Sequence, residues 1–317
     1  MDVYTRDDLK AMQAWPLERK IRVTQTRIME WNYRHCGDLD TASPDIRVSF
    51  SGGKDSTVLL DIARRLYPDI KAVFADTGLE YPEIRDFVKT FDNVDWVRPK
   101  KTSRRVIEEY GYPVIGKEVA MTIDQARRGF PAASNRLLGL NADGSESQYK
   151  VRHFRRWGHL MDAPFKISDK CCYHLKESTL DRHPGKPIIA IMAADSKRRE
   201  KSYMHYGCNN FSSKKPRSTP MGFWTEQDVL MYIKAYNLPI ASIYGEIVEE
   251  CGKLRTTDAE RTGCIFCAFG AHIKSKRKTR FELLKESHPG LYDYCMRPWD
   301  AGGLGMGEVL DYIGVRR

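Results

Sequence analysis

Along this chain, short apolar runs alternate with stretches whose apolar positions recur every three or four residues, the signature of strands followed by helices. Residues 1–35 carry Leu17, Ile21, Val23, Ile28, Met29 and Trp31 among Arg, Lys and Glu, which predicts an amphipathic packing helix ahead of the first strand. The stretch 47–60 reads RVSFSGGKDSTVLL, and it predicts a buried strand ending at Phe50, a tight turn at Gly52 and Gly53, and a helix start. A second strand is expected at 70–75, with a helix from Tyr81 opened by Pro82. Further strands are expected at 94–97 and 188–193. Thr225, followed by Glu226, Gln227 and Asp228, caps a helix whose buried stripe is Val229, Leu230, Tyr232 and Ile233. Strands alternating with helices predict an α/β fold with a parallel sheet flanked by helices.

The pattern weakens from Gly116 to Arg156, which reads as an insertion of helix, mobile loop and helix at about 116–165. This divides the chain into an N-terminal helix (1–40), an α/β domain (41–245) interrupted by that insertion, and a small cysteine-containing C-terminal region (246–317). The last region carries Gly302, Gly303, Gly305 and Gly307 ahead of a short amphipathic helix. With 317 residues, 41% of them hydrophobic, the chain can bury a full core as one large domain or two unequal ones.

The formal net charge of +10 favours a polyanionic partner or substrate, and nucleotide binding accounts for part of it. Two basic stretches stand out. Arg98, Lys100, Lys101, Arg104 and Arg105 follow a predicted strand end, where they read either as a solvated face or as phosphate contacts. Arg152, Arg155 and Arg156 are interleaved with Phe154 and Trp157, which suits phosphate contact with base stacking, or equally an inserted subdomain or dimer contact with a basic exterior. Neither a secretory signal nor an apolar run near 18 residues is present, so the expected location is the cytoplasm, with no membrane partner.

Chemistry concentrates in two places. In SGGKDS, glycines allow close backbone approach, the first helical turn offers free N–H groups, and Lys54 adds a mobile cation, so the loop is suited to phosphate; it is not the Walker pattern. The chain has eight cysteines. Cys171 and Cys172 are adjacent, and Cys264 and Cys267 form a CxxC, a set that suits a metal better than disulfides in a reducing compartment. Zinc and an iron-sulfur cluster both fit this count. Adjacent cysteines chelate one tetrahedral zinc poorly but can each reach a different iron. Cys251 competes as a ligand, Cys208 and Cys295 are further candidates, and Cys36 reads as structural.

SGGKDS resembles the PP-loop of ATP pyrophosphatases, which cleave ATP between its α and β phosphates. The DTG of Asp76, Thr77 and Gly78, followed by Glu80, Tyr81, Pro82 and Glu83, resembles a signature of the phosphoadenosine phosphosulfate (PAPS) reductase family within that superfamily. Arg198 and Arg199 resemble the family's nucleotide-contacting arginine segment, with Ala193 or Ala194 where a glycine is usual. The order CC, long gap, CxxC resembles the 4Fe-4S pattern of cluster-containing sulfonucleotide reductases and of PAPS-reductase-like DNA phosphorothioation enzymes.

The resemblance implies a PP-loop, adenine nucleotide alpha hydrolase-like fold and ATP with Mg2+. It implies nucleotide contacts from Ser51, Gly52, Gly53, Lys54, Asp55, Ser56, Asp76, Thr77, Gly78, Arg198 and Arg199, with Lys54 and Asp55 catalytic. A 4Fe-4S cluster on Cys171, Cys172, Cys264 and Cys267 is preferred over zinc. The chain departs from sulfonucleotide reductases in lacking an ECG-x-H tail and in its undegraded SGGKDS. Both departures point to ATP use and an adenylating sulfurtransferase acting on nucleic acid. The implied partners are tRNA or DNA, a sulfur-donor protein and a second copy of the chain. The alternatives are a phosphoadenosine or adenosine phosphosulfate reductase using Cys208 or Cys295, and a non-catalytic nucleotide- or nucleic-acid-binding subunit.

Overall fold

A computed structural model describes residues 3–147, 154–273 and 278–317. The chain separates into two compact units that interleave in sequence: residues 1–76, 81–97 and 180–262 form the first, and 77–80, 98–179 and 263–317 the second.

The strands, in chain order, are β1 Ile46–Ser49, β2 Ala72–Ala75, β3 Val94–Val97, β4 Val114–Ile115, β5 Lys186–Ile189, β6 Asn209–Asn210, β7 Arg217–Ser218, β8 Ile247–Glu250, β9 Lys253–Thr256 and β10 Ala268–Phe269. In the first unit a six-stranded sheet runs β3-β2-β1-β5-β7-β6. Its pairs are parallel except the last, β6 with β7, so the sheet is mixed rather than wholly parallel. Val48 of β1 is registered against Ala72 on one side and Ile188 on the other; β1 alternates apolar and polar residues (Ile46, Arg47, Val48, Ser49), yet Arg47 is buried as well, its guanidinium donating to Leu180 O (2.8 Å) and Gly185 O (3.3 Å). Helices Leu17–Cys36, Lys54–Leu66 and Glu226–Ala235 pack on one another in this unit, with Ile28, Trp31, Leu59, Ile62, Val229 and Tyr232 in its core.

Two sequence expectations shift here. The N-terminal amphipathic stretch is two helices, Arg6–Gln13 and Leu17–Cys36, parted at Pro16, whose ψ of 150° is not helical. Thr5 and Asp8 open the first with a capping box, and Gly37, at φ 70°, closes the second. The strand expected at 188–193 is β5, Lys186–Ile189, because the chain leaves the sheet early. The Ile191 amide bonds Ile189 O, and the Ala193 amide bonds Gly222 O instead of a strand neighbour.

In the second unit β4 and β10 form a short parallel ladder among the helices Ser103–Tyr110, Lys117–Arg127, Pro131–Leu138, Arg280–Ser287, Pro289–Met296 and Met306–Tyr312. The expected insertion supplies the helical hairpin Lys117–Arg127 and Pro131–Leu138. Arg127 fixes it by donating to the carbonyls of Leu160 (2.6 Å), Met161 (3.2 Å), Ala163 (2.9 Å) and Phe165 (2.7 Å). Arg152 lies outside the described residues. Among the described residues no helix is long and apolar enough to cross a membrane.

Candidate functional site

Two sites emerge, one in each unit. In the first unit, residues 51–56 join the carboxyl end of β1 to the helix Lys54–Leu66. Gly52 takes φ +70°, and a Cβ there would lie 2.7 Å from Val88 Cγ2 and 2.8 Å from Ile84 Cγ2, so only glycine fits. Gly53 is the N-cap of the helix and offers no side-chain cap. The seryl hydroxyls knit the turn: Ser56 Oγ receives the Ser51 amide at 3.1 Å, lies 3.0 Å from Ser51 Oγ and donates to Gly53 O at 2.9 Å. Tyr244 braces it from outside, its hydroxyl accepting the Lys54 amide (3.2 Å) and pairing with Thr262 Oγ1 (2.6 Å).

Lys54 is 4% exposed. Its ammonium donates to Glu260 O at 2.7 Å and pairs with Glu226 Oε1 at 3.0 Å. Burial works against that charge, yet Asp55 and Glu226 outweigh it and hold the Lys54 pKa above the usual lysine value. Burial also pushes the neighbouring Asp55 carboxyl up, with Lys54 opposing and Asp195 reinforcing the shift. Asp55 Oδ1 is closed off from solvent with no hydrogen-bond partner among the described residues. Asp195, its side chain 7% exposed, is held by Arg261 (2.9 Å) and by an ion pair with Arg199. Buried cation, buried carboxylates and the start of a helix therefore surround the turn.

Of the remaining expected contacts, Asp76 is buried and paired with Arg85 at 3.2 Å, and Arg198 is exposed on the helix Lys197–Tyr206. Thr77 and Gly78 belong to the second unit. There Thr77 donates its amide (3.0 Å) and hydroxyl (2.8 Å) to Glu80, while Gly78, at φ +74°, has open space around it. Sequence reading did not single out Asp195, Glu226, Tyr244, Arg261 and Thr262 as site residues. Glu226 was visible only as a helix-start residue, and no spacing ties the others to the loop.

In the second unit Cys171, Cys172, Cys264 and Cys267 line one small cavity with Leu79, Leu175, Phe266 and Lys176. Cys171 and Cys172 end a helical turn that continues as the π-helix Tyr173–Glu177, an irregularity frequent at functional sites. The CxxC turn is closed by the Cys267 amide on Cys264 O (3.1 Å), and Arg280 clamps it by donating to the carbonyls of Cys267 (2.8 Å) and Cys264 (3.3 Å). Burial pushes the thiols of Cys171 and Cys172 up, and that of Cys267 up to about 11, so metal binding here would release protons. Lys176 sits beside Glu80 (3.3 Å); burial opposes its charge, but Cys264 and Glu80 more than compensate. Among the described residues no three His, Cys, Asp or Glu side chains are set to hold a single metal ion. The four thiols share a cavity without converging on one point.

Several expectations are corrected. Cys251 is exposed at the tip of the β8–β9 hairpin with φ 51° and does not line the thiol cavity. Cys36, read as structural, is exposed at a helix end with its Sγ donating to Asn32 O and Asp38 O, each at 3.4 Å. Cys208 and Cys295 are 5% and 0% exposed, so neither is presented as an attacking thiol. Phe154 and Trp157 are 3% and 5% exposed, with Arg136 and Arg156 over their rings, so neither offers a face for base stacking. In the run 98–105, Lys101 pairs with Glu109, and Arg104 donates to the carbonyls of Gly302 and Gly303. Those two cations are structural.

Residues 45–115 match the phosphoadenosine phosphosulfate reductase domain family. The chain is 26% identical to an adenosine 5'-phosphosulfate reductase of Staphylococcus haemolyticus over 73% of its own length and 75% of the relative's. It is 34% identical to the adenosine 5'-phosphosulfate reductase of Geobacillus kaustophilus over 25% of its length and 29% of that protein. Among solved structures, a phosphoadenylyl-sulfate reductase from Candida auris in a phosphate complex superposes with a TM-score of 0.39 at 12% identity, covering 78% of this chain and 97% of the other. The chain therefore carries a PAPS-reductase-like, PP-loop-like domain with weak homology to adenosine phosphosulfate reductases.

Proposed function

We propose that the first unit binds ATP at residues 51–56 and cleaves it to AMP and pyrophosphate, adenylating an acceptor for later sulfur transfer. The observation that supports this most is the buried cation Lys54 at a glycine turn and helix start, beside an Asp55 whose Oδ1 lacks a partner. An acceptor oxygen attacks the α phosphorus and gives its proton to solvent, the bond between the α phosphorus and the bridging oxygen breaks, and pyrophosphate leaves with its electron pair; AMP is released when a sulfur nucleophile later displaces it from the adenylated acceptor. The Lys54 ammonium and the positive end of the helix Lys54–Leu66 stabilise the charge that develops on that leaving group. Asp55, whose closed-off Oδ1 has no hydrogen-bond partner among the described residues, would help hold a Mg2+ ion, which would neutralise phosphate oxygens.

Lys54 is held by Glu226 while no phosphate is present, and a triphosphate must displace that carboxylate. Glu226→Gln is therefore expected to tighten ATP binding about five-fold, the scale of about 1 kcal/mol for a partly exposed pair. Equilibrium dialysis with labelled ATP reads this directly, and weaker binding in the variant would contradict it.

The four thiols, which line one cavity, would hold a 4Fe-4S cluster rather than zinc, because adjacent cysteines chelate one tetrahedral zinc poorly but can each reach a different iron. The cluster would supply redox and sulfur-binding chemistry. Anaerobically purified protein is expected to be brown and to contain iron and acid-labile sulfide. Cys267→Ser is expected to lose both, and Cys251→Ser neither. A colourless protein with one zinc would replace the cluster by the metal.

The second reading, sulfonucleotide reduction, draws on the 26% identity to an adenosine phosphosulfate reductase. It lacks an exposed thiol at Cys208 or Cys295. One experiment separates the two: ATP, or a sulfonucleotide with a dithiol, is incubated with the protein and the products are resolved. AMP with pyrophosphate supports adenylation, and sulfite from the sulfonucleotide with ATP untouched overturns it.

A further inference from the structure

The net charge is not shared between the units. The second counts 25 Lys and Arg against 16 Asp and Glu, a net +9, while the first, which holds the glycine turn, counts 27 against 26. Binding a nucleotide in the first unit therefore does not explain the basicity. Part of the excess is used internally. Lys176 and Arg280 serve the thiol site, Lys101 and Arg104 tie neighbouring segments, and Arg127 holds the helical hairpin to four carbonyls.

Among the described residues the other exposed cations are spread over the second unit, and three of them, Arg128, Arg155 and Arg156, lie on the inserted subdomain, which also carries an exposed aromatic ring. The tip of its hairpin reads Arg128, Gly129, Phe130, Pro131. Phe130 is 51% exposed, and the guanidinium of Arg128 lies 5.3 Å from its ring centroid. An aromatic side chain of that size loses apolar contact by standing in water. Arg136, over the ring of Phe154 at 4.5 Å, joins the second hairpin helix to residues 154–157, which carry the exposed Arg155 and Arg156. The exposed ring and the exposed arginines thus belong to one packed subdomain.

We infer that this subdomain binds single-stranded nucleic acid, Phe130 stacking on a base and Arg155 and Arg156 meeting phosphates, while Arg128, ion-paired with Asp124 at 2.8 Å, flanks the ring. A lone charged face would suit any polyanion, but the exposed ring beside a guanidinium selects a strand whose bases are open, because every base presents a π-face and duplexed bases do not. As an acceptor site this surface rests on the adenylation reading. As a binding site it needs no nucleotide, so the two are tested apart.

The test is fluorescence anisotropy of labelled oligothymidylate and of a duplex of equal length, with the whole protein and no ATP, from about 50 to about 200 mM salt. Single strands are expected to bind more tightly than duplex. Phe130→Ala is expected to weaken that binding about ten-fold with an unchanged salt slope, and Phe130→Trp to preserve it. Arg155→Gln with Arg156→Gln is expected to lower the slope by about 1.4, the counterion release of two phosphates on a single strand. Lys54→Ala is expected to bind as the parent does even if it cleaves no ATP. Absence of binding, equal affinity for duplex, or a Phe130→Ala variant that folds by circular dichroism and binds unchanged would each overturn the inference.

Discussion

Replacing Lys54 by alanine is expected to reduce AMP and pyrophosphate formation by roughly 100- to 1,000-fold, the range found when one preorganised donor to a developing anion is removed. The reason is local. Lys54 is the cation in contact range of Glu226 Oε1 and Glu260 O, 4% exposed, so no solvent ion takes its place once the side chain is gone. The substitution also leaves Asp55 and Glu226 facing a triphosphate without their counter-charge, which weakens ATP binding as well as turnover. Lys54→Arg is not expected to rescue, because the planar guanidinium cannot occupy a site shaped for a compact ammonium. Glu226, 35% exposed on its side chain, remains solvated, whereas the closed-off Asp55 loses its counter-charge, so the fold of the variant is checked by circular dichroism before turnover is compared. Measured by resolving products from labelled ATP, turnover unchanged from the parent would remove the basis of the adenylation reading. Iron content provides the control: it is expected to be unaltered, since the thiols belong to the other unit.

How far the site was legible in sequence follows from what each residue must do. The glycine turn declares itself because φ +70° and two side chains within 3 Å of an added Cβ allow nothing else at Gly52. Its strand declares itself by the β-branched Ile46 and Val48 leading into Phe50 just before the glycine pair, although Arg47 between them is buried too. The residues that brace and neutralise the loop are another matter. Tyr244 and Glu226 reach Lys54 from far along the chain, and Thr262 and Arg261 complete the set, with no periodicity linking them. The four cysteines were legible as a group, since vicinal pairs and CxxC turns are local; that Lys176 and Arg280 would frame them was not. Arginine and aromatic residues mixed in one segment gave the wrong stacking candidates. A guanidinium covers an aromatic face as readily as a base does: Arg136 covers the ring of Phe154 and Arg156 that of Trp157, while Phe130, in a less conspicuous context, stands exposed. The strand at 188–193 shortened for a similar reason, a tertiary hydrogen bond from Ala193 to Gly222 overriding an apolar run.

Breaking the buried pair Lys20–Asp228 is expected to have the largest effect on stability. The ammonium and carboxylate lie 2.6 Å apart with side chains 1% and 6% exposed. Lys20 also donates to Gln13 O at 2.7 Å, and Asp228 Oδ2 accepts the amide and hydroxyl of Thr225, each at 2.7 Å. One contact thus fastens the end of the helix Arg6–Gln13, the helix Leu17–Cys36 and the capped start of Glu226–Ala235. Asp228→Asn or Lys20→Met, leaving one charge buried and uncompensated, is expected to cost about 3–5 kcal/mol in urea unfolding. The double variant is expected to cost less than the sum, because neither buried charge then remains; a simple sum, or single losses below about 0.5 kcal/mol, would show the pair to be unimportant. The consequence reaches the site, because the helix start that Asp228 caps also carries Glu226, the counterion of Lys54. Asp228→Asn is therefore expected to change ATP affinity in the direction of Glu226→Gln, and the two substitutions combined to give no further gain. Full additivity of the two would show that Glu226 is placed on Lys54 by something other than this cap.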